Sequence, residues 1–334
     1  MTEQAHSVAA RAAPPRQGTL QRLADRIGIQ NLSLIFALIV LCAIFGYLRG
    51  DVFFSSRNIL NIGLAVTILG VLAMSQTVVI VSGGLDISVG STVGFATVAT
   101  AMVAQATDSA AAAVLAGLLV GAACGLVNGI IITYGRVNAV IATLGTMAIF
   151  RGVAFILSDG QSISIYDDAF RFMGNGQILG LPVPLWILGA TAVVFHVFLS
   201  RSIAGRNVYA IGGNPVVARF SGINVNRYKV AIYVMSGVVA GLGGILLAAR
   251  TGSGQPVSGS QGLELEAITA AVLGGCALQG GRGTIVGALL GVLIIGVLNN
   301  GMILTAVPSF YQLLAKGALL ILAVLVAEYR LNRA

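Results

Sequence analysis

Long apolar stretches separated by short polar interruptions dominate this chain. Residues 27–48, 58–85, 87–107, 109–135, 172–200 and 283–315 contain no Asp, Glu, Lys or Arg, Asp86 being the lone charge between the second and third stretches. Each stretch reaches or exceeds the ~20 residues a helix needs to cross a ~30 Å hydrocarbon core. A membrane barrel would instead show ~10-residue segments alternating in hydrophobicity, and these runs do not alternate. The pattern predicts an all-α, polytopic integral membrane bundle of about ten helices. They are placed near 31–48, 58–82, 88–106, 111–133, 137–157, 183–200, 230–249, 267–281, 284–304 and 309–327, within a membrane domain spanning 31–328.

The polar remainder sets the orientation. Residues 1–30 are basic and lack an apolar core, so they read as a cytosolic tail, as do 329–334. With the N-terminus inside, 13 of the 19 Lys and Arg fall on cytosolic pieces, notably Arg136, Arg201, Arg206, Arg219, Arg227, Lys229 and Arg282. The outer pieces collect Asp51, Asp108, Asp159, Asp167, Asp168, Glu264 and Glu266. This asymmetry follows the positive-inside rule. It accounts for the net charge of +8 without nucleic-acid binding. Two interruptions are long: 158–182 outside and 201–228 in the cytosol.

Composition adds the solvent. The chain is 57% hydrophobic and only 9% charged, with a mean hydropathy of +0.95, against about 25% charged residues in soluble domains. Its 44 glycines fall in four-residue ladders: Gly121, Gly125, Gly129; Gly237, Gly241; Gly283, Gly287, Gly291; Gly90, Gly94. Such ladders let membrane helices approach closely. Cys42, Cys124 and Cys276 lie in apolar segments without CxxC spacing and read as small packing residues.

Catalytic signatures are missing from the sequence. It holds two histidines, no GxxxxGK[ST] loop for nucleotide phosphates and no GxSxG elbow, so it offers no catalytic group, metal site or bound cofactor. Chemistry-bearing residues are few. Asp86, in "SGGLDIS", sits where the second helix ends and the third begins. Gly83 and Gly84 release the backbone there, and Asp86 or Ser88 caps the third helix. Contact with cargo and a gating role remain open for Asp86. Arg151 and Lys316, inside predicted helices, should face protein or water. Asn299 and Asn300 suit either contacts to a hydroxylated cargo or interhelical hydrogen bonds. In the cytosolic loop, Asn214 is a good N-cap, Pro215 fits a first turn and Gly222 a terminus. The short helix so defined, 215–221, would present Val216, Val217 and Phe220 beside Arg219, and needs something to pack on.

Four segments in order, "GGLDISVGS" (83–91), "NAVIATLGTMAIFRGVAFILSDG" (138–160), "AIGGNPVVARFSGINV" (210–225) and "EAITAAVLGG" with "QGGRGTIVGA" (266–288), resemble the permease subunits of bacterial ATP-binding-cassette sugar importers of the ribose, xylose and galactose type. The resemblance runs from about residue 30 to the end. It implies a homodimer in the bacterial inner membrane, separate ATPase subunits that use ATP and Mg, and a periplasmic sugar-binding protein. It further implies that Gly213, Asn214, Pro215, Arg219, Phe220 and Gly222 form the element that couples to the ATPase. Asp167, Asp168, Glu264 and Glu266 are then candidates for docking the binding protein, and Gly83, Gly84, Asp86, Ser88, Asn299 and Asn300 for the translocation pathway or its helix break. The alternatives are a branched-chain amino acid permease of the same family and an ion-coupled secondary transporter with Asp86 as its ion site.

Overall fold

The computed structural model describes residues 29–331, and its long helices occupy the apolar runs. They are α1 (Ile29–Phe53), α2 (Ser56–Val81), α3 (Val89–Thr107), α4 (Ala110–Thr133), α5 (Ala139–Ser158), α7 (Val183–Arg201), α10 (Val225–Thr251), α12 (Ile285–Leu304) and α13 (Ser309–Leu331). Shorter helices lie between them: α6 (Asp168–Asn175), α8 (Ile203–Gly213), α9 (Pro215–Phe220) and α11 (Leu263–Leu273). Eight, α1 to α5, α7, α10 and α12, are long and apolar enough to cross a membrane. The N-terminal tail lies outside the described residues except for Ile29 and Gln30, which open α1. The C-terminal helix continues to Leu331, past the boundary expected at 328.

Sequence explains where the helices begin. Ser55, Ser109, Asn138, Ser202, Asn214, Asn224 and Thr284 each stand at an N-cap, with a side-chain oxygen accepting a first-turn amide. That satisfies donors which lipid cannot. At the centre, α2 is buried continuously from Val66 to Val81, as an all-round apolar helix must be inside a bundle. At the edge, α1 exposes Phe36, Ile39, Ile44 and Leu48.

Glycine ladders set the closest crossings. A Cβ at Gly121 or Gly125 would run into the α10 backbone at Gly237 or Tyr233, and one at Gly241 into Gly117. Thus α4 and α10 pack backbone to backbone in opposite directions. Gly287 and Gly291 do the same for α12 against α11, at Gly274 and Ala270.

One expectation needs correction. The eighth helix was placed at 267–281 as a crossing segment, yet α11 runs only Leu263–Leu273, about 16 Å at 1.5 Å per residue. Gly274 packs against Gly287, and Gly275 at φ +97° ends the helix. The preceding non-helical stretch lies along α3: the Thr97 hydroxyl donates to Gln255 O (2.7 Å) and accepts from its amide (3.0 Å). Apolar composition extended the predicted helix, but the glycine cluster after Leu273 breaks it. Non-helical backbone at this depth is tolerated because protein surrounds it. The break expected between the second and third helices is present, α2 ending at Val81 and α3 beginning at Val89. After Val81 the chain turns back, with Gly84 N donating to Val79 O (3.0 Å) and Gln76 Nε2 to Asp86 O (3.1 Å). The break is therefore folded inward beside α2.

The two ends of the bundle differ. At one, β1 (Ile163–Ser164) pairs antiparallel with β4 (Ser253–Gly254), and β2 (Gln177–Ile178) with β3 (Leu181–Pro182). With α6 they fold the 158–182 segment into a cap, which Trp186 Nε1 joins by donating to Ile178 O (3.1 Å). The other end gathers the α4–α5 connection, α8, α9 and the start of α10. It carries Arg136, Arg206, Arg219, Arg227 and Lys229, the basic residues on which the cytosolic expectation rests.

Candidate functional site

Asp86 is 2% exposed, and its carboxylate is fully engaged. Oδ1 accepts from the Ser88 amide (3.0 Å) and hydroxyl (2.7 Å), and Oδ2 from the Ser236 hydroxyl (2.9 Å). Ser88 Oγ in turn accepts from Asn128 Nδ2 (2.7 Å), whose Oδ1 accepts from Thr146 (2.6 Å). Tyr233 donates its hydroxyl to Leu85 O (3.2 Å). The cluster therefore joins α2, α4, α5 and α10 to the break before α3. Ser236 lies roughly 16 Å along α10 from Val225, so the cluster is well inside the bundle.

This refines the capping expectation. Ser88 occupies the N-cap position of α3 but makes no side-chain cap bond, and Asp86 bonds Ser88 rather than the first-turn amides. The acid organises the turn and welds it to α10. A buried charge is sustainable only when so compensated. Two glycines make the turn possible. Gly83 holds φ +79°, and a Cβ on Gly84 would strike the Tyr233 hydroxyl.

The same turn touches the cytosolic segment. Gly281 N donates to Val81 O (2.8 Å), and a Cβ on Gly212 would meet both Val81 O and Gly281 N. Tyr209 in α8 donates its hydroxyl to Gly283 O (2.6 Å). So the end of α8, the turn after α2 and the loop before α12 meet backbone to backbone at Gly212, Val81 and Gly281, with Tyr209 as a further tie. Next in the chain, Gly213 ends α8 and Asn214 starts α9, accepting from Val216 N (3.0 Å) and Val217 N (3.1 Å). Gly222 follows at φ +82°. Ala218 is the buried residue of α9, while Val216, Val217 and Phe220 are exposed, Phe220 by 89%. Arg219 is exposed beside them and donates to Asn226 Oδ1 (3.3 Å).

The remaining candidates do not converge. Asn300 exchanges amide hydrogen bonds with Asn58 (2.8 and 3.1 Å), fastening α12 to α2; Asn299 Oδ1 is enclosed without a partner. Asp167 caps α6 through Phe170 N (2.7 Å), and Asp168 is exposed. The two glutamates depart from the outer-surface docking expectation. Glu264 is 7% exposed and lies against Gly90, and Glu266 pairs with Lys316 Nζ (2.6 Å). The early start of α11 carries both into its first turn and inward. Lys316 thereby finds protein, as an intramembrane cation should. Arg151, half-buried in α5, keeps Nε and Nη2 enclosed and unpartnered. Among the described residues, no group of His, Cys, Asp or Glu could hold a metal ion.

Sequence reading missed the other members of the Asp86 cluster: Gln76 and Ser236, which bond Asp86 itself, and Asn128, Thr146 and Tyr233, which bond its neighbours. A signal existed for two. Asn128 and Ser236 each sit beside a glycine of the α4 and α10 ladders, where a polar side chain is held close to the facing helix.

The permease component family of the branched-chain amino acid transport system matches residues 58–324. The L-arabinose ABC transporter permease protein AraH of Azospirillum brasilense is 40% identical over 322 residues, covering 96% of this chain and 93% of that protein. The ribose import permease protein RbsC of Escherichia coli K12 is 42% identical over 302 residues, covering 89% and 93%. Its namesake in Bacillus subtilis 168 is 41% identical over 311, covering 92% and 93%. No solved structure matches.

Proposed function

Because this chain belongs to the branched-chain amino acid transport system / permease component family, we propose that it forms the sugar pathway of an ATP-binding-cassette importer in the bacterial inner membrane. Its cargo is a neutral monosaccharide, with a pentose favoured. The observation that carries this reading is the end-to-end identity with ribose and L-arabinose permeases, each matched over 93% of its length. The family description mentions branched-chain amino acids, but those full-length relatives favour a sugar over a zwitterion.

Energy enters from other chains. The sequence has no Walker A loop, so ATP and Mg are used by separate ATPase subunits. Exposed Val216, Val217 and Phe220 on a helix of six residues suit insertion into such a partner, because so short a helix gains little alone. Gly213, Asn214, Pro215, Arg219 and Gly222 complete that coupling segment. A second copy of the chain completes the pathway. A periplasmic sugar-binding protein docks at the opposite end, near Asp167 and Asp168, and steers in by charge complementarity.

The test is uptake by proteoliposomes holding this chain, its ATPase and its binding protein, with labelled ribose, L-arabinose and leucine. Pentose uptake should require ATP and all three components and should survive a protonophore. ATP-dependent leucine uptake in place of pentose would move the cargo to the amino acid branch. Pentose uptake by the chain alone, abolished by a protonophore, would replace the reading with ion coupling.

A further inference from the structure

The cytosolic ends of α2, α4, α5, α9 and α10 enclose a cleft of about 630 Å³. Three cations on its wall come from three separate segments: Arg136 between α4 and α5, Arg219 in α9, and Lys229 in α10. No carboxylate lines it. Among the described residues the single ion pair, Lys316 with Glu266, belongs to other helices. Asp86 lies behind Tyr233, with both oxygens committed to Ser88 and Ser236. Like charges gathered around one hollow repel each other, so the wall is complementary to an anion.

Further observations point the same way. Thr133, on this wall, keeps its hydroxyl buried with no partner. Arg136 is held at φ +56°, a conformation unusual for a residue with a Cβ and associated with functional positions. The 20-residue α5 opens at the wall from Asn138 and Ala139, adding the positive end of its dipole.

We propose that this cleft is a binding site for a phosphate-bearing anion. Arg136 and Arg219 supply planar forks that match phosphate oxygens, and Lys229 adds a point charge. Its volume is within the range of small-molecule sites, leaving room for what the phosphate is attached to: a soluble sugar phosphate or an anionic lipid headgroup. The bound anion ties the α4–α5 connection to α9 and α10.

The test uses the full-length chain in nanodiscs of phosphatidylcholine, titrated with inorganic phosphate and with ribose 5-phosphate. A parallel preparation contains phosphatidylglycerol, with retained lipid read by native mass spectrometry. Variants are Arg136→Gln, Lys229→Gln and the two combined, with Arg206→Gln as a control because Arg206 does not line the cleft. The wild type should bind one of these probes, more weakly as salt rises. The combined variant should bind about ten-fold more weakly or worse, each single variant about three-fold, and the control unchanged. Saturable ribose 5-phosphate binding assigns the phosphate to a soluble metabolite. Retained phosphatidylglycerol, lost in the combined variant, assigns it to lipid. Failure of the wild type to bind any probe overturns the proposal, whether or not the variants fold. Binding by the combined variant equal to the wild type also overturns it.

Discussion

Asp86 is costly to bury and costly to remove. Its carboxylate accepts three hydrogen bonds, two from Ser88 and one from Ser236, so removing it strands donors that the bundle interior cannot rehydrate. Each stranded group costs roughly 1–3 kcal/mol. Asp86→Asn keeps an acceptor for Ser88, and the Ser236 hydroxyl can turn to accept from the new amide. Asp86→Leu satisfies neither. We expect Asp86→Asn to retain most thermal stability and uptake, and Asp86→Leu to lose both. Thermal unfolding of the purified variants, together with ATP-driven uptake, checks this. Equal and complete loss of uptake in both variants, with folding intact, would mean the charge itself is required.

At the scale of elements, glycine decides which helices touch and a single ion pair tests how α11 is held. The α4–α10 contact leaves no room for side chains, which makes it a rigid seam beneath the Asp86 cluster. Half-length α11 depends on neighbours, α12 through Gly287 and Gly291 and α13 through Glu266–Lys316. Breaking one side of a sheltered pair leaves a charge with no partner, whereas removing both sides does not. Glu266→Leu or Lys316→Met alone should therefore lower the melting temperature more than the two together. A double mutant whose loss equals the sum of the singles would show that the pair contributes no coupling.

For the whole molecule, the arrangement brings the cytosolic segment next to the intramembrane break. Gly212 at the end of α8 rests on Val81 and Gly281, which adjoin the turn leading to Asp86. A displacement of α8 and α9 by a partner would reach that turn through the backbone contact at Gly212. Phe220→Asp places a charge on the most exposed apolar residue of α9 and leaves its buried Ala218 in place. We expect Phe220→Asp and Arg219→Glu to insert normally yet abolish ATP-driven uptake. Comparing membrane content with uptake separates the two effects, and undiminished uptake by both variants would remove α9 from energy coupling.

By itself the sequence determined the solvent, the helical class and the positions of most long helices, because lipid demands runs of apolar residues whose backbone bonds close internally. It also marked the α9 cap at Asn214, which depends on residues near in the chain, and the ladders at Gly121 and Gly237, whose missing side chains are visible before their partners are. Tertiary structure alone decided that Asp86 is a buried tie rather than a helix cap, that Glu264 and Glu266 face inward, and that α11 spans only part of the bilayer. Each of these depends on partners far along the chain: Ser236 for Asp86, Gly90 for Glu264, Lys316 for Glu266 and Gly287 for the end of α11. Helical periodicity reports which residues are apolar, but not which distant backbone will lie against them.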